Sequence, residues 1–516
     1  MERAPNILLI MADQLAAKWT GTYGHPLVRT PHLDALAKRG VRFDAAYTNC
    51  PICAPSRASM CTGRLVTNID AFDNGTELPA STPTFLHRLR GAGYRTWLSG
   101  KMHFIGPDQH HGFERRLTTE IYPSGFNWTP DWRESPCANP GSAVDQLRDS
   151  GTCDWSLQLD YDEETHFRAM EGLRDLARLQ DDERPFFLCA SYTHPHDPFC
   201  ITPEWWDLYD GDAIDPPEPG PIDFDEMHPY DQWLQIHHMV REYPPTEEAI
   251  RKTRRAYYGM VSYFDDRVGQ LVGELERLGL ADDTIVVVTS DHGEMLGDRG
   301  MWFKRTCYEP STRIPLVVAG TDRVAGGRAL SESVSLVDLF PTFAEWAGAG
   351  ETDDDSSILD GHSLAGLAAG TDSSWDYPAI SEYCSEGVCA PIRMAVKDRL
   401  KYIHVHGEAP QLYDLASDPL ELENRYGDPA LAARFQPLHA AVHDGWDPAA
   451  VRDRVLASQR DRRAINRACP PAGFREWDVR PDFDPSAQYV RRENSPVSNA
   501  ARRYPRVDAG PGESGG

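Results

Sequence analysis

Cys53 lies in the stretch of this chain best suited to chemistry, Cys50-Pro-Ile-Cys53-Ala-Pro55-Ser56-Arg57, which runs on to Thr62-Gly63-Arg64. Pro55 near the first position of a helix and Gly63 at its end predict a loop that turns into a short helix. A group at that helix start faces unpaired N–H groups and the Arg57 cation. Such a place favours negative charge, either a thiolate or a bound oxyanion such as sulfate or phosphate. Cys50 and Cys53 also have the dithiol spacing of redox proteins, although nothing around them reads as a small thioredoxin-like domain. Two buried structural cysteines are the plainest alternative.

Other candidates sit just past apolar runs that read as strands. Residues 6–11 form a near-continuous apolar run, expected as a buried parallel strand, and Asp13 follows its carboxyl end. In open α/β sheets ligands bind at that end. Residues 94–98 deliver Lys101 and His103 in the same way. Residues 186–191 deliver His194, His196 and Asp197, and residues 284–289 deliver Asp291 and His292. Asp13, Asp291 and His292 are hard or borderline donors on separate strand ends, suited to one divalent cation.

Helices are expected over 30–40, 82–93, 162–179, 246–278 and 334–347, with a further strand over 315–319. Strand, polar loop and helix repeated several times predict a parallel sheet covered by helices on both faces. Residues 104–151, rich in Gly, Pro and aromatics, are expected as a long loop near the mouth of the site, and 202–245 as irregular. After an Asp- and Gly-rich turn at 351–360 the texture changes. Short alternating strands over 392–396, 400–405 and 411–415 and a helix over 429–443 predict a small antiparallel sheet with one packed helix.

A chain of 516 residues with 41% hydrophobic content can build a large core and a smaller companion. Lys and Arg number 52 against 79 Asp and Glu, a net charge of −27, which argues against nucleic acid or an anionic membrane as partner. A site for an anionic ester must therefore gather its cations locally. Residues 1–11 do not read as a secretory signal, and no apolar run approaches membrane length. Eleven scattered cysteines do not resemble a secreted disulfide framework, so a cytoplasmic protein with reduced thiols is expected.

Cys53-Ala-Pro55-Ser56-Arg57 followed by Thr62-Gly63-Arg64 resembles the signature of the type I sulfatases, of the alkaline phosphatase superfamily. The resemblance implies a large, mostly parallel sheet sandwiched by helices, with a smaller C-terminal antiparallel sheet. It implies that a formylglycine-generating enzyme converts Cys53 to formylglycine, whose hydrated aldehyde is the nucleophile. It places a Ca²⁺ ion, or Mg²⁺ or Mn²⁺, between Asp13, Asp291, His292 and residue 53. Gln14 and His292 stand where many members carry a second Asp and an Asn; the Asp/His version is similar to the branch of choline sulfatases and phosphonate monoester hydrolases.

The same resemblance gives roles to the remaining candidates. Arg57 and Lys101 steady the hydrate, Lys304 contacts the sulfate oxygens, His196 protonates the leaving alcohol, and His103 takes the proton of the remaining hydroxyl. Asn74 is expected to donate to the sulfate. Several longer segments, among them 98–104, 117–123 and 191–198, resemble choline sulfatases in particular, implying choline-O-sulfate as substrate. A quaternary ammonium needs aromatic faces and a carboxylate, and Trp128 and Glu386 are the candidates.

The expected organisation is a catalytic domain over 1–350, a smaller α+β domain over 351–450, and an extension over 451–516 that serves as the arm of a homo-oligomer, dimer or tetramer, with a disordered end. Tyr489-Val-Arg491 continues here as Arg492-Glu493 rather than in the family's usual way. Other sulfate esters, phosphonate monoesters or phosphodiesters are the alternatives within this chemistry. A non-catalytic metal-binding or dithiol redox protein is the alternative outside it.

Overall fold

In the computed structural model, residues 4–136, 143–179, 184–349, 359–372 and 374–468 are described. The strand Asn6–Ala12 is buried along its whole length, so it needs cover on both faces. It lies at the centre of an eight-stranded sheet. The order is Arg328–Ser335, Val41–Tyr47, Leu316–Ala319, Thr284–Ser290, Asn6–Ala12, Phe186–Ser191, Arg95–Gly100 and Arg115–Arg116. Neighbours are parallel except around Leu316–Ala319, which is antiparallel to both of its own.

The period-two alternation of a strand divides the core. Leu8, Ile10, Leu188, Val286 and Val288 face helices Pro31–Arg39, Leu157–Arg178 and Glu247–Arg277. Ile7, Leu9, Phe187, Ile285 and Val287 face Phe85–Gly91 and Leu339–Trp346. Register then sets the site. Met11 pairs with both Ser191 and Thr289, and Gly100 pairs with Ser191. Four strands therefore finish level, and the polar residues just beyond them must meet.

A second, antiparallel sheet runs Ala379–Tyr383, Ile392–Lys397, Leu400–Val405 and Gln411–Asp414. Helix Ala432–His443 packs on it through Leu438 and Val442 against Ala395 and Tyr402. This is the expected fold class, a mostly parallel sheet between helices with a smaller antiparallel sheet after it.

Local expectations need correction in two places. Val41–Tyr47, Arg328–Ser335 and Ala379–Tyr383 are strands that no apolar run announced, and Val334, expected in a helix, lies in the second of them. Its sequence, Arg-Ala-Leu-Ser-Glu-Ser-Val-Ser, alternates exposed and buried positions over its first half, as suits the outermost strand of a sheet. The segment 202–245 is not wholly irregular, because it carries helices Pro203–Trp206 and Pro229–His237. Thr30 does not cap the helix that follows it. Asp265 accepts from His32 N at 3.0 Å and Leu33 N at 2.8 Å instead.

The tail features expected at 477–491 and 510–516, and most of the turn at 351–360, lie outside the described residues. Among the described residues no helix is long and apolar enough to cross a membrane.

Candidate active site

Cys53 is the first residue of helix Cys53–Thr62, all ten of whose residues are buried, and Gly63 closes it in the left-handed region at φ 65°. Ile52 at the N-cap has no side-chain acceptor to offer. Asn74 supplies one from another loop: its Oδ1 accepts from Ala54 N at 3.0 Å. Asn74 thereby ties its own loop to the start of the Cys53 helix.

Two strand ends converge on the thiol. Cys53 Sγ lies 3.2 Å from His292 Nε2 and 3.7 Å from Asp13 Oδ1. One ligand atom each from Asp13, Cys53, Asp291 and His292 lies within 4.8 Å of the other three, and all four residues are buried. Two carboxylates, an imidazole and the group at position 53 form a donor set that fits a divalent cation.

Cations of the chain hold these carboxylates. Arg57 donates from Nε to Asp291 Oδ2 at 2.8 Å, from Nη2 to Asp13 Oδ2 at 3.1 Å, and from Nη1 to the Lys101 carbonyl at 2.7 Å. Lys101 Nζ donates to Asp13 Oδ2. Burial pushes the Asp13 carboxyl up, but Lys101, His196 and Arg57 outweigh it and keep the group well below the usual carboxylate range. Burial pulls the Lys101 ammonium down, and Asp13, Cys53 and Asp291 together more than restore it. Backbone N–H groups of Gln14 and His292 complete the cradle by donating to Asp291 Oδ1 at 3.1 and 2.9 Å.

His196 and Lys304 face this cluster from one side. Their nitrogens, His196 Nε2 and Lys304 Nζ, are 2.6 Å apart, and His196 Nε2 is 4.0 Å from Asp13 Oδ1. Gln14 sets the lysine, accepting from Lys304 Nζ on Oε1 and donating from Nε2 to Glu294 Oε2 at 2.5 Å and Asp197 Oδ1 at 3.2 Å. Replacing Gln14 with Leu is expected to free Lys304 and lower kcat about 10- to 100-fold with a smaller change in KM. Steady-state kinetics on a sulfate ester read this split. His194 turns away: its Nδ1 is 2.6 Å from Asp162 Oδ2, while its carbonyl accepts from Asp13 N at 3.3 Å.

His103 reaches the cluster from the loop after Arg95–Gly100. Its backbone sits at φ 56°, held where Glu120 Oε2 accepts from Met102 N at 3.0 Å and His103 N at 2.8 Å. Neither ring nitrogen has a partner although both are buried, which marks a group waiting for a ligand. Burial, with Lys101 and Arg57 nearby, holds the imidazole well below its ordinary pKa.

His103 also packs against two aromatic rings. Trp128, 41% exposed, and Tyr122 each lie 5.5 Å from the His103 ring and 5.5 Å from one another, and Lys101 Nζ stands 4.2 Å over Tyr122. Tyr122 is the residue that sequence reasoning missed. The richness in aromatics of 104–151 marked its loop without marking the ring. Glu386 is engaged elsewhere, in an ion pair at 2.9 Å with Arg305, the neighbour of Lys304.

Comparison with known proteins decides what this centre belongs to. The model of the sulfatase family matches residues 5–349, which contain Asp13, Cys53, Lys101, His196, Asp291 and Lys304. The chain belongs to the sulfatase family.

Two further models match this sulfatase: the C-terminal part of N-sulphoglucosamine sulphohydrolase over 297–445 and the choline sulfatase C terminus over 453–503. It is 39% identical over 97% of its length to the choline-sulfatase of Rhizobium meliloti (strain 1021), covering 99% of that protein. It is 30% identical over 82% of its length to arylsulfatase K of Xenopus laevis, covering 79% of it. Among solved structures it resembles the phosphonate monoester hydrolase of Silicibacter pomeroyi, with a TM-score of 0.67 and 26% identity, covering 85% of this chain and 94% of that one.

Proposed function

We propose that this sulfatase hydrolyses choline-O-sulfate to choline and sulfate. The observation that carries the choice of ester is the ring of Tyr122, His103 and Trp128 beside the cationic cluster. A quaternary ammonium has no hydrogen to donate, and aromatic faces attract it through their electron density. The near full-length likeness to the R. meliloti enzyme supports the same ester. Glu386, the carboxylate proposed for the ammonium, is ion-paired at 2.9 Å with Arg305 next to Lys304.

Conversion of Cys53 to formylglycine supplies a nucleophilic hydroxyl of the hydrated aldehyde. A bound divalent cation, Ca²⁺ or else Mg²⁺ or Mn²⁺, would lower the cost of charge on that oxygen and on the sulfate. Asp13, Asp291 and His292 hold the ion, while Arg57 and Lys101 orient the group at position 53. Asn74 donates its –NH₂ to a sulfate oxygen at the helix start, and Lys304 meets the charge that develops on the non-bridging oxygens. His196, together with Lys304 at 2.6 Å from its Nε2, supplies the proton that the leaving choline oxygen needs. His103, neutral where it lies, accepts a proton from the hydroxyl left at position 53, and return to the aldehyde releases sulfate.

Further parts of the reading rest on the same resemblance. The catalytic domain spans 1–350, the smaller one 351–450 and the extension 451–516, which builds a homo-oligomer. Formylglycine-generating enzyme is the modifying partner. A cytoplasmic site agrees with the nine described cysteines, all free thiols.

Rates with choline-O-sulfate, a nitrophenyl sulfate and a phenylphosphonate monoester test the reading, together with the mass of the Cys53 peptide. Choline-O-sulfate is expected to give the highest kcat/KM and the peptide an aldehyde mass. A faster phosphonate ester would favour the second reading, phosphonate monoester hydrolysis, which the Silicibacter likeness supports. An unmodified thiol together with inactivity would overturn both. Trp128→Ala is expected to raise KM for choline-O-sulfate about tenfold and KM for methyl sulfate by less than about threefold.

A further inference from the structure

Helix Pro448–Ala468 carries a polar stripe at Gln459, Arg462, Arg463 and Asn466, a spacing of three, four and seven residues that puts all four on one face. Each of the four holds the loop that bears Trp128. Gln459 Oε1 accepts from Trp132 N at 3.0 Å, Arg463 Nη1 pairs with Asp131 Oδ2 at 2.7 Å, and Asn466 Nδ2 donates to the Phe126 carbonyl at 2.5 Å.

Arg462 reaches further. Its Nη1 and Nη2 donate to Asp73 Oδ1 and Oδ2 at 2.6 and 2.7 Å, and Nη1 also donates to Thr129 Oγ1 at 2.9 Å. The pair is 7% and 0% exposed, so its two-pronged geometry is held in a dry place. Asp73 precedes Asn74, the residue that caps the Cys53 helix and is aimed at the sulfate. Gly75 closes the seam: a Cβ there would come within 2.8 Å of Thr129 N and Oγ1, so the Asn74 loop and the Trp128 loop touch with no room between them.

We propose that Arg462 is a positioning residue for specificity. By gripping Asp73 and Thr129 together it fixes the distance between Asn74, at the anionic end of the ester, and Trp128, at its cationic end. The proposal rests on the reading of those two as substrate contacts. A rigid span between them favours an ester whose sulfate and ammonium are that far apart, and shorter alkyl sulfates gain nothing from it.

The test combines kinetics with hydrogen exchange on Arg462→Met, Asp73→Asn, the double variant and Arg462→Lys, each measured as full-length, modified enzyme. Arg462→Met is expected to raise KM for choline-O-sulfate about tenfold while kcat moves less than about threefold, and to leave KM for methyl sulfate within about twofold. Arg462→Lys, with one prong, is expected to fall between. The double variant is expected to be no worse than Arg462→Met alone, because the pair acts as one unit. Deuterium uptake is expected to rise together in peptides spanning 70–78 and 124–134.

Equal losses on both esters, additive effects in the double variant, or unchanged uptake in either loop would overturn the clamp. Inactivity of the parent enzyme on choline-O-sulfate would overturn the functional reading instead, and the exchange data would still decide whether Arg462 joins the two loops.

Discussion

Replacing Cys53 with alanine is expected to lower sulfate-ester hydrolysis by at least about 10⁴-fold, with the fold intact. In this reading residue 53 becomes the nucleophile among the four donors that lie within 4.8 Å of one another. Removal of the thiol leaves the Arg57, Lys101, Asp13 and Asp291 pairs in place, because none of their bonds runs through sulfur. The matched control is Cys50→Ala. Burial pushes the Cys50 thiol well up, and Cys384 and Glu382 add to it, so that sulfur is inert. Activity within about threefold of the parent is expected for this variant. A dithiol enzyme would need both cysteines equally. Assay of the two variants on a sulfate ester, with melting curves to show folding, therefore separates formylglycine chemistry from redox chemistry.

Asp13, Lys101, His103, His196, Asp291 and His292 were legible because each follows an apolar strand by one to five residues, and parallel strands in register end together. Local spacing was enough there. Arg57 was legible from its place one helical turn past Cys53. Tyr122 was not, since it lies on a loop whose path no periodicity records. The grip of Arg462 on Asp73 joins residues 389 apart, and no pattern within either segment marks it. The same reason hid the cap of helix Pro31–Arg39, which comes from Asp265 rather than from the adjacent Thr30. The ion pair of Glu386 with Arg305 left no local mark either, because the two lie 81 positions apart. The edge strand Arg328–Ser335 escaped because polar residues on its open positions break up any apolar run.

Changing Asp13 to Asn is expected to damage stability and activity together, for one electrostatic reason. The carboxylate is fully buried and neutralises two fully buried cations, Arg57 at 3.1 Å and Lys101. With an amide there, those cations share Asp291 alone, and a buried pair that loses one partner costs about 3–5 kcal/mol. The sign with pH follows. Because Lys101, His196 and Arg57 hold the folded carboxyl well below its ordinary value, its contribution is present above the ordinary carboxylate pKa. That contribution is lost only as pH falls through the lower folded value. The parent is thus expected to lose its advantage over Asp13→Asn progressively under acid, and denaturant unfolding at neutral and acidic pH measures the convergence. Activity is expected to fall at least about 10³-fold at neutral pH, since the donor set loses a charge and Lys101 loses the oxygen that aims it. Excess divalent cation is not expected to restore it. If Asp13→Asn instead kept the parent's neutral-pH stability, the buried cations would have to be neutralised elsewhere, and Asp13 would not be the anchor of the centre.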